Sequence, residues 1–163
     1  MTFGTASPSA PELRVPHWID ADGQPRPPLK LADMGADYKV IYCFQHWCLG
    51  CHQCGFPNLQ KLVNAMSDQG FGFAVVQTVF EGAETNTLER LRETQLRYDL
   101  KIPFGHDPAQ GQYPTIMTDY QTRGTPWFIV IDGMGEVLFS DFHLDADQLI
   151  GVFSKGESAP GTH

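Results

Sequence analysis

The chain has 163 residues, of which 42% are hydrophobic, and a formal net charge of −8 from 19 acidic and 11 basic residues. This length and apolar content suffice for one domain with a full core. The negative charge argues against nucleic acid or an anionic membrane as a partner, because both would repel such a surface. No run of about 18 apolar residues occurs, so the sequence predicts no membrane span.

The N-terminal segment predicts a leader outside the fold. Residues 1–12 are rich in Ser, Pro and Ala and lack the basic and apolar regions of a secretory signal. We expect one domain across residues 1–163, with a disordered leader at 1–12 and a flexible tail at 155–163. A monomer in the cytoplasm is expected, or a periplasmic protein if a signal or anchor has been removed from this end.

The predicted elements alternate between strands and helices. In chain order they are an edge strand at 15–19, a stiff turn at 23–28, a buried strand at 38–44, a helix at 56–66, a buried strand at 71–76, a helix at 85–98, a polar loop after residue 104, a short helix at 113–120, strands at 127–131 and 136–140 joined by an Asp-Gly turn, and a helix at 145–153. This order predicts an α/β fold with a central mixed sheet and helices on both faces.

The sequence Trp47-Cys48-Leu49-Gly50-Cys51 lies where a predicted strand passes into a predicted helix. All four cysteines fall between positions 43 and 54, which is too clustered for a framework of structural disulfides. Cys48 and Cys51 have the spacing to form a disulfide with each other, and a helix N-terminus favours a thiolate. We therefore predict a redox centre in which Cys48 is the nucleophile and Cys51 is the resolving thiol.

This Trp-Cys-x-x-Cys sequence, together with Gly124-Thr125-Pro126-Trp127 before a later apolar strand, resembles the thioredoxin-like superfamily. The resemblance is to its thiol-disulfide oxidoreductases of the redoxin and cytochrome-maturation type. It implies a thioredoxin-like fold with an N-terminal extension and an insertion between about residues 77 and 122. It also implies that Pro126 is cis, that its loop lies against the two cysteines and pairs with the substrate, and that Thr125 contacts the bound disulfide.

The activity that the resemblance implies is thiol-disulfide exchange in cell redox homeostasis. The substrates are protein or low-molecular-weight thiols and disulfides, an unidentified donor supplies electrons, and no cofactor or metal is expected besides the redox-active disulfide. We expect Trp47, Leu49, Gly50 and Trp127 to contact the substrate, with the two tryptophans forming an apolar rim.

Three positions differ from their counterparts in relatives. Tyr42 replaces a buried Asp of thioredoxin, and Cys54 replaces a Glu found in membrane-tethered relatives, so the usual proton acceptor is missing or replaced. Gln45 replaces the Thr that peroxiredoxins carry three residues before their reactive Cys. A thiol-dependent peroxidase is therefore the less favoured alternative.

Four residues are candidate modulators of the centre. His46 and His52 flank the cysteines and either tune their charge or meet solvent. Cys54 either exchanges with Cys51, on a shared helix face, or is a small buried hydrophobe. Glu81 follows a predicted parallel strand, and the carboxyl ends of parallel strands meet at one edge of a sheet.

Other chemistries share these spacings. Cys48 to His52 matches the Cys-x-x-Cys-His pattern of c-type haem attachment, and Cys48, Cys51 and Cys54 resemble part of an iron–sulfur motif. The same three cysteines with His46 or His52 form a conceivable zinc set. Simple packing is the preferred interpretation only for Cys43. Since the preceding strand and the Thr125-Pro126 block have no role in haem attachment, exchange is the favoured function.

Overall fold

The computed structural model of this chain describes residues 9–80, 82–83 and 86–158. Its elements are β1 His17–Ile19, β2 Pro25–Arg26, a 3₁₀ turn Leu31–Met34, β3 Lys39–Phe44, a π-helical turn Cys51–Gly55, α1 Phe56–Met66, a 3₁₀ turn Ser67–Gln69, β4 Gly72–Val79, α2 Leu88–Arg97, β5 Phe104–Gln110, β6 Tyr113–Pro114, α3 Thr115–Tyr120, β7 Trp127–Ile131, β8 Val137–Asp141 and α4 Ala146–Ser158.

Within the described residues the strands form one mixed sheet in the order β2-β1-β5-β4-β3-β7-β8, with β6 paired to β5. β3, β4 and β5 run parallel, whereas β1 and β7 are antiparallel to their neighbours. Every residue of β3 is buried, as expected for a strand covered on both faces. The predicted α/β fold with a mixed central sheet is confirmed.

Two apolar clusters cover the two faces of the sheet. The first joins the buried sides of α1, α2 and α4 to Tyr42, Cys48 and Cys51. The second joins α3 and the N-terminal segment to Cys43 and Trp127. Alternation along β3 separates Tyr42 from Cys43 in this way, because successive side chains of a strand point to opposite faces. The turn that carries Cys48 and Cys51, which we call the redox turn, is therefore anchored in the first cluster.

β5 is the main element that the sequence prediction missed. We expected a polar loop after Phe104, but a strand forms there and pairs with both β4 and β1. Its Gly, Asp and Pro residues are typical of loops. The strand forms because Gly105 leaves room for the ring of Trp18, which would lie 2.9 Å from a Cβ at that position. His106 Nδ1 also lies 2.9 Å from Gln77 Nε2 of β4.

The N-terminal segment is more ordered than predicted. β1 is not an edge strand, because β2, inside the predicted stiff turn, pairs with its outer side. The leader is attached from residue 9 rather than after residue 12, since the Ala10 N–H donates to the Gly135 carbonyl oxygen at 2.8 Å. At the other end, α4 continues to Ser158, into the tail that we expected to be flexible. The remaining parts of the predicted leader and tail lie outside the described residues.

Asp107 of β5 holds the start of α3 by side-chain hydrogen bonds. It is fully buried, and it accepts the Thr115 hydroxyl at 2.9 Å and the Ile116 N–H at 2.8 Å. Burial raises the pKa of the Asp107 carboxyl, and the hydrogen bonds from α3 oppose this rise without cancelling it. The carboxyl is therefore a source of pH-dependent stability.

We predict that Asp107→Asn reduces the loss of stability over the pH range that begins at about 4, near the ordinary Asp pKa, and extends upward through the raised folded pKa. Because the folded pKa lies above the unfolded value, this group's contribution is fully present below the unfolded pKa and is lost as the pH rises through the folded pKa. An Asn amide does not ionise, and it can replace both contacts with its oxygen accepting the Ile116 N–H and its Nδ2–H donating to the Thr115 hydroxyl oxygen. Urea unfolding across this range should show a smaller decline for the variant than for the wild type. Asp68→Asn, at an exposed position, serves as the control, and an equal decline in Asp107→Asn would contradict the prediction.

Candidate functional site

A disulfide joins Cys48 and Cys51 just beyond the carboxyl end of β3, with their Cα atoms 5.3 Å apart. Cys48 is 6% exposed and Cys51 is completely buried. Trp47 and Leu49 beside them are 47% and 67% exposed. Of these two cysteines, only Cys48 is partly accessible at the surface, between the exposed side chains of Trp47 and Leu49.

One backbone N–H group donates to the Cys48 sulfur, and a second hydrogen bond holds the Cys48 backbone. The Cys51 N–H donates to Cys48 Sγ at 3.2 Å, and the Cys48 N–H donates to the Gln45 carbonyl oxygen at 3.1 Å, which fixes the turn. When the disulfide is reduced, a donor in this position, at the start of a helix, stabilises a thiolate at Cys48. The local backbone thus favours negative charge on the Cys48 sulfur.

Tyr42 of β3 lies beneath the redox turn, in the position predicted to lack an acid. Its hydroxyl donates to the carbonyl oxygen of Cys51 at 2.9 Å, and the Phe56 N–H donates to the same oxygen in the π-helical turn. A Cβ on Gly55 would collide with the Tyr42 hydroxyl. Burial raises the pKa of Tyr42 well above its ordinary value, so its hydroxyl stays protonated and acts as a donor.

The Thr125–Pro126 peptide bond is cis, as the resemblance implies. Pro126 is buried and Thr125 is half-buried. A Cβ on Gly50 would lie 3.5 Å from Pro126 Cδ, so the proline packs against the turn between the two cysteines. β7, which begins directly after Pro126, pairs with β3 and fixes the loop beside the disulfide.

Trp127 is not part of the rim around the disulfide, contrary to our expectation. It is 2% exposed, its Nε1–H donates to Ser140 Oγ at 2.9 Å, and its ring packs edge-on against Phe142. Strand alternation places it in the second cluster, on the face of Cys43, whereas the disulfide belongs to the first. The exposed apolar side chains next to the cysteines are those of Trp47 and Leu49.

His46 and His52 are held by the protein rather than meeting solvent freely. His52 Nε2 lies 2.6 Å from the His46 carbonyl oxygen and its Nδ1 lies 2.5 Å from the Tyr98 hydroxyl. Because a carbonyl only accepts, Nε2 carries the proton and Nδ1 accepts from Tyr98. His46 Nε2 accepts from the Arg90 guanidinium at 2.6 Å. Burial lowers the pKa of both imidazoles, and Arg90 lowers that of His46 further.

Asn86 joins the segment after β4 to the redox turn, although the sequence analysis did not single it out. Its side chain accepts the His46 N–H at 2.6 Å and donates to the Gly82 carbonyl oxygen at 3.0 Å. Its Nδ2 also lies 3.4 Å from Gln45 Oε1. A single Asn in a polar segment forms no sequence pattern that would reveal this role, because two of its partners, Gln45 and His46, lie about forty residues earlier in the turn after β3.

The other candidate modulators differ in accessibility. Cys54 is free and exposed, so the interpretation of it as a buried hydrophobe is wrong. It does not share the buried side of Cys51, because the π-helical turn changes the side-chain directions expected for an α-helix. Cys43 is free and fully buried, and burial raises the pKa of its thiol far above the ordinary value. Glu81 lies outside the described residues.

Among residues 9–80, 82–83 and 86–158, no three His, Cys, Asp or Glu side chains come together as ligands for a metal ion. Cys48 and Cys51 are bonded to each other, whereas haem attachment or cluster ligation would use each sulfur separately. No helix of the described part of the chain is long and apolar enough to cross a membrane.

A disulfide at the carboxyl end of a central parallel strand, with a cis-proline loop packed against it, defines a thioredoxin-type redox fold. Comparison with solved structures agrees. The crystal structure of a thioredoxin-like superfamily protein has a TM-score of 0.77 at 32% identity and covers 95% of this chain and 97% of its own. This chain belongs to the thioredoxin-like superfamily.

Two further structures are similar. A thiol-disulfide isomerase from Corynebacterium glutamicum has a TM-score of 0.73 at 28% identity, covering 88% of this chain and 93% of its own. The thioredoxin domain of a thiol-disulfide oxidoreductase from Bacteroides vulgatus has a TM-score of 0.69 at 20% identity, covering 93% and 96%, and shows the shared fold. Neither the protein-family models nor the curated proteins gave a match.

We predict that Tyr42→Phe lowers the free energy of unfolding by about 0.5–1.5 kcal/mol, the net value of one hydrogen bond. The ring stays in the core while the donor to the Cys51 carbonyl is lost. Faster hydrogen exchange at the Phe56 amide, which shares that acceptor, would locate the effect in the redox turn. Tyr38→Phe is a matched control, since Tyr38 packs against Phe71 and has no hydroxyl hydrogen bond within the described residues.

Equal unfolding free energies and equal Phe56 exchange in Tyr42→Phe and wild type would contradict this role for the hydroxyl. Loss of stability in Tyr38→Phe as large as in Tyr42→Phe would attribute the effect to aromatic packing instead.

We predict that His52 titrates below the ordinary imidazole pKa of about 6.5. Its folded pKa is lowered chiefly by burial, so the stability that this group contributes is fully present above the unfolded pKa and is lost as the pH falls through the folded pKa. Nitrogen-15 NMR of the folded protein should show the Nε2–H tautomer at neutral pH. A pKa at or above the ordinary value, or the Nδ1–H tautomer, would contradict the hydrogen-bond assignment.

Proposed function

We propose that the protein is a thiol-disulfide oxidoreductase that exchanges its Cys48–Cys51 couple with protein or low-molecular-weight thiol substrates through a mixed disulfide. The observation that carries the proposal is the disulfide itself, formed between a surface-reaching Cys48 and a buried Cys51. The cis Thr125–Pro126 loop beside it supports the proposal. So does the likeness to a thiol-disulfide isomerase at 28% identity.

Exchange begins with the Cys48 thiolate of the reduced protein. It attacks one sulfur of a substrate disulfide, so the substrate S–S bond breaks, a Cys48–substrate S–S bond forms, and the other substrate sulfur leaves as a thiolate that takes up a proton. Cys51, deprotonated, then attacks Cys48 Sγ. The Cys48–Cys51 disulfide forms and the second substrate thiolate leaves, so that two electrons have passed from the protein to the substrate.

The site residues support these two steps in different ways. The Cys51 N–H stabilises negative charge on Cys48, and the buried position of Cys51 protects it from direct attack by substrate. Tyr42 positions the Cys51 backbone through its carbonyl. The couple needs no cofactor, and a donor of the thiol or dithiol class returns it to the reduced state. The reverse sequence oxidises a substrate dithiol, since each step is an exchange.

We predict that Cys48→Ser abolishes insulin reduction with dithiothreitol as the electron donor, because the attacking thiolate is lost. Cys51→Ser should retain attack but accumulate mixed disulfides, since no resolving thiol remains. Turbidity of the reduced insulin chains measures the first effect, and mass spectrometry of the trapped adducts measures the second. The matched control is Cys54→Ser, which removes an exposed free thiol one turn away and should keep the wild-type rate.

Undiminished insulin reduction by Cys48→Ser would contradict the assignment of the nucleophile. Wild-type protein that reduces no disulfide but consumes hydrogen peroxide at the expense of a thiol would favour the peroxidase alternative, especially if Cys51→Ser retained that activity. A coloured protein from a host competent in haem or cluster assembly would instead favour the cofactor-binding alternatives.

A further inference from the structure

A cavity of about 400 Å³ lies next to the cis-proline loop and is not used by the exchange reaction. It is lined by Phe80, Tyr113, Met117, Thr118, Thr122 and Arg123. Three of these side chains are large and apolar or aromatic, two are threonines and one is cationic. Its volume is within the range of sites that bind small molecules or side chains.

The fold places this cavity at the same edge of the sheet as the disulfide. Phe80 directly follows β4, whose carboxyl end is adjacent to that of β3, and the redox turn starts from β3. Arg123 precedes the cis Thr125–Pro126 bond by two residues, and Pro126 packs against the turn between the cysteines. A ligand in contact with both the cavity and Cys48 would therefore cross the cis-proline loop.

The remaining wall of the cavity is fixed rather than loose. Met117 and Thr118 belong to α3, whose first turn is held by the buried carboxylate of Asp107. Asp119 of the same helix forms an ion pair with Arg14. A wall anchored at both its start and its middle can present side chains in a constant arrangement, which is a requirement of a specific site.

The polar groups of the cavity are available to a ligand. Thr122 is 6% exposed, and its buried hydroxyl has no hydrogen-bond partner among the described residues. Such a group costs free energy unless a partner is supplied. Arg123 is exposed and lies over the Trp127 ring at 5.5 Å, and it forms no ion pair within the described part of the chain. On a chain with a net charge of −8, this guanidinium is a local positive group suited to a carboxylate.

We propose that this cavity is a substrate subsite for an extended polypeptide segment that carries an apolar side chain and a carboxylate close to its reacting cysteine. The inference rests on the proposed exchange activity and names the class of protein substrate. The apolar side chain contacts Phe80 and Met117, while the carboxylate pairs with Arg123. A polypeptide fits because its successive side chains span from the Cys48 sulfur across the cis-proline loop.

The test uses reduced full-length protein and cysteine peptides joined through a disulfide to the chromophore 5-thio-2-nitrobenzoate. Three peptides are compared. They differ only in the two residues directly after the cysteine, which are Leu-Glu, Leu-Gln or Gly-Gln. We expect KM to be lowest for the Leu-Glu peptide, by about two- to fivefold relative to Leu-Gln, as for one partly exposed charge pair. Arg123→Gln should remove this difference, and Arg123→Lys should retain most of it.

Lys101→Gln is the matched control, because it removes the same charge at an exposed position before β5, at the opposite edge of the sheet. It should keep the preference, and all variants should reduce the neutral hydroxyethyl disulfide at the wild-type rate. The subsite is overturned if the wild type shows no preference among the peptides, if Arg123→Gln keeps it, or if Lys101→Gln removes it equally. Failure of the wild type on every disulfide, the neutral one included, would instead contradict the exchange activity.

Discussion

The pairing of β3 with β4 on one side and with β7 on the other determines the geometry of the redox edge. Phe44 at the end of β3 is in register with Gln77 of the parallel strand, and Cys43 is opposite Trp127 of the antiparallel strand. The chain that leaves β3 and the chain that enters β7 therefore meet at the same edge. A register slip of one residue would exchange the two faces of β3, so the burial of this strand fixes Cys48 beside Pro126.

The same register of β3 places the Tyr42 side chain beneath the redox turn. Its ring packs among the aromatic side chains of the first cluster, and its hydroxyl extends to the Cys51 carbonyl. The position that supplies an acid in thioredoxin thus supplies a buried donor here. The hydrogen bond requires Gly55, because a Cβ at that position would collide with the Tyr42 hydroxyl. In the π-helical turn the Cys51 carbonyl oxygen accepts from both the Tyr42 hydroxyl and the Phe56 N–H. The backbone of Cys51 is consequently coupled to core packing rather than to a titrating carboxylate.

The sequence predicts the secondary-structure elements best where side-chain periodicity and burial agree. The uninterrupted apolar run of β3, the periodic face of α1 and the Asp-Gly turn between β7 and β8 each determine an element from local residues alone. β5 could not be found in this way, because Gly105 becomes favourable only when Trp18, nearly ninety residues earlier, packs on it.

Some residues of the candidate site are likewise predictable from local sequence, and others are not. The cysteine pair and the cis-proline follow from short motifs, and the structure brings them together. Trp127 was misplaced because an aromatic residue next to a motif gives no indication of which sheet face it occupies. The roles of Asn86 and Tyr42 depend on single hydrogen bonds to a distant backbone, which produce no sequence pattern. Among the described residues, polar atoms without a partner lie on both sides of the disulfide: Gln45 Nε2 and His46 Nδ1 on the side of α2, and the Thr122 hydroxyl on the side of α3.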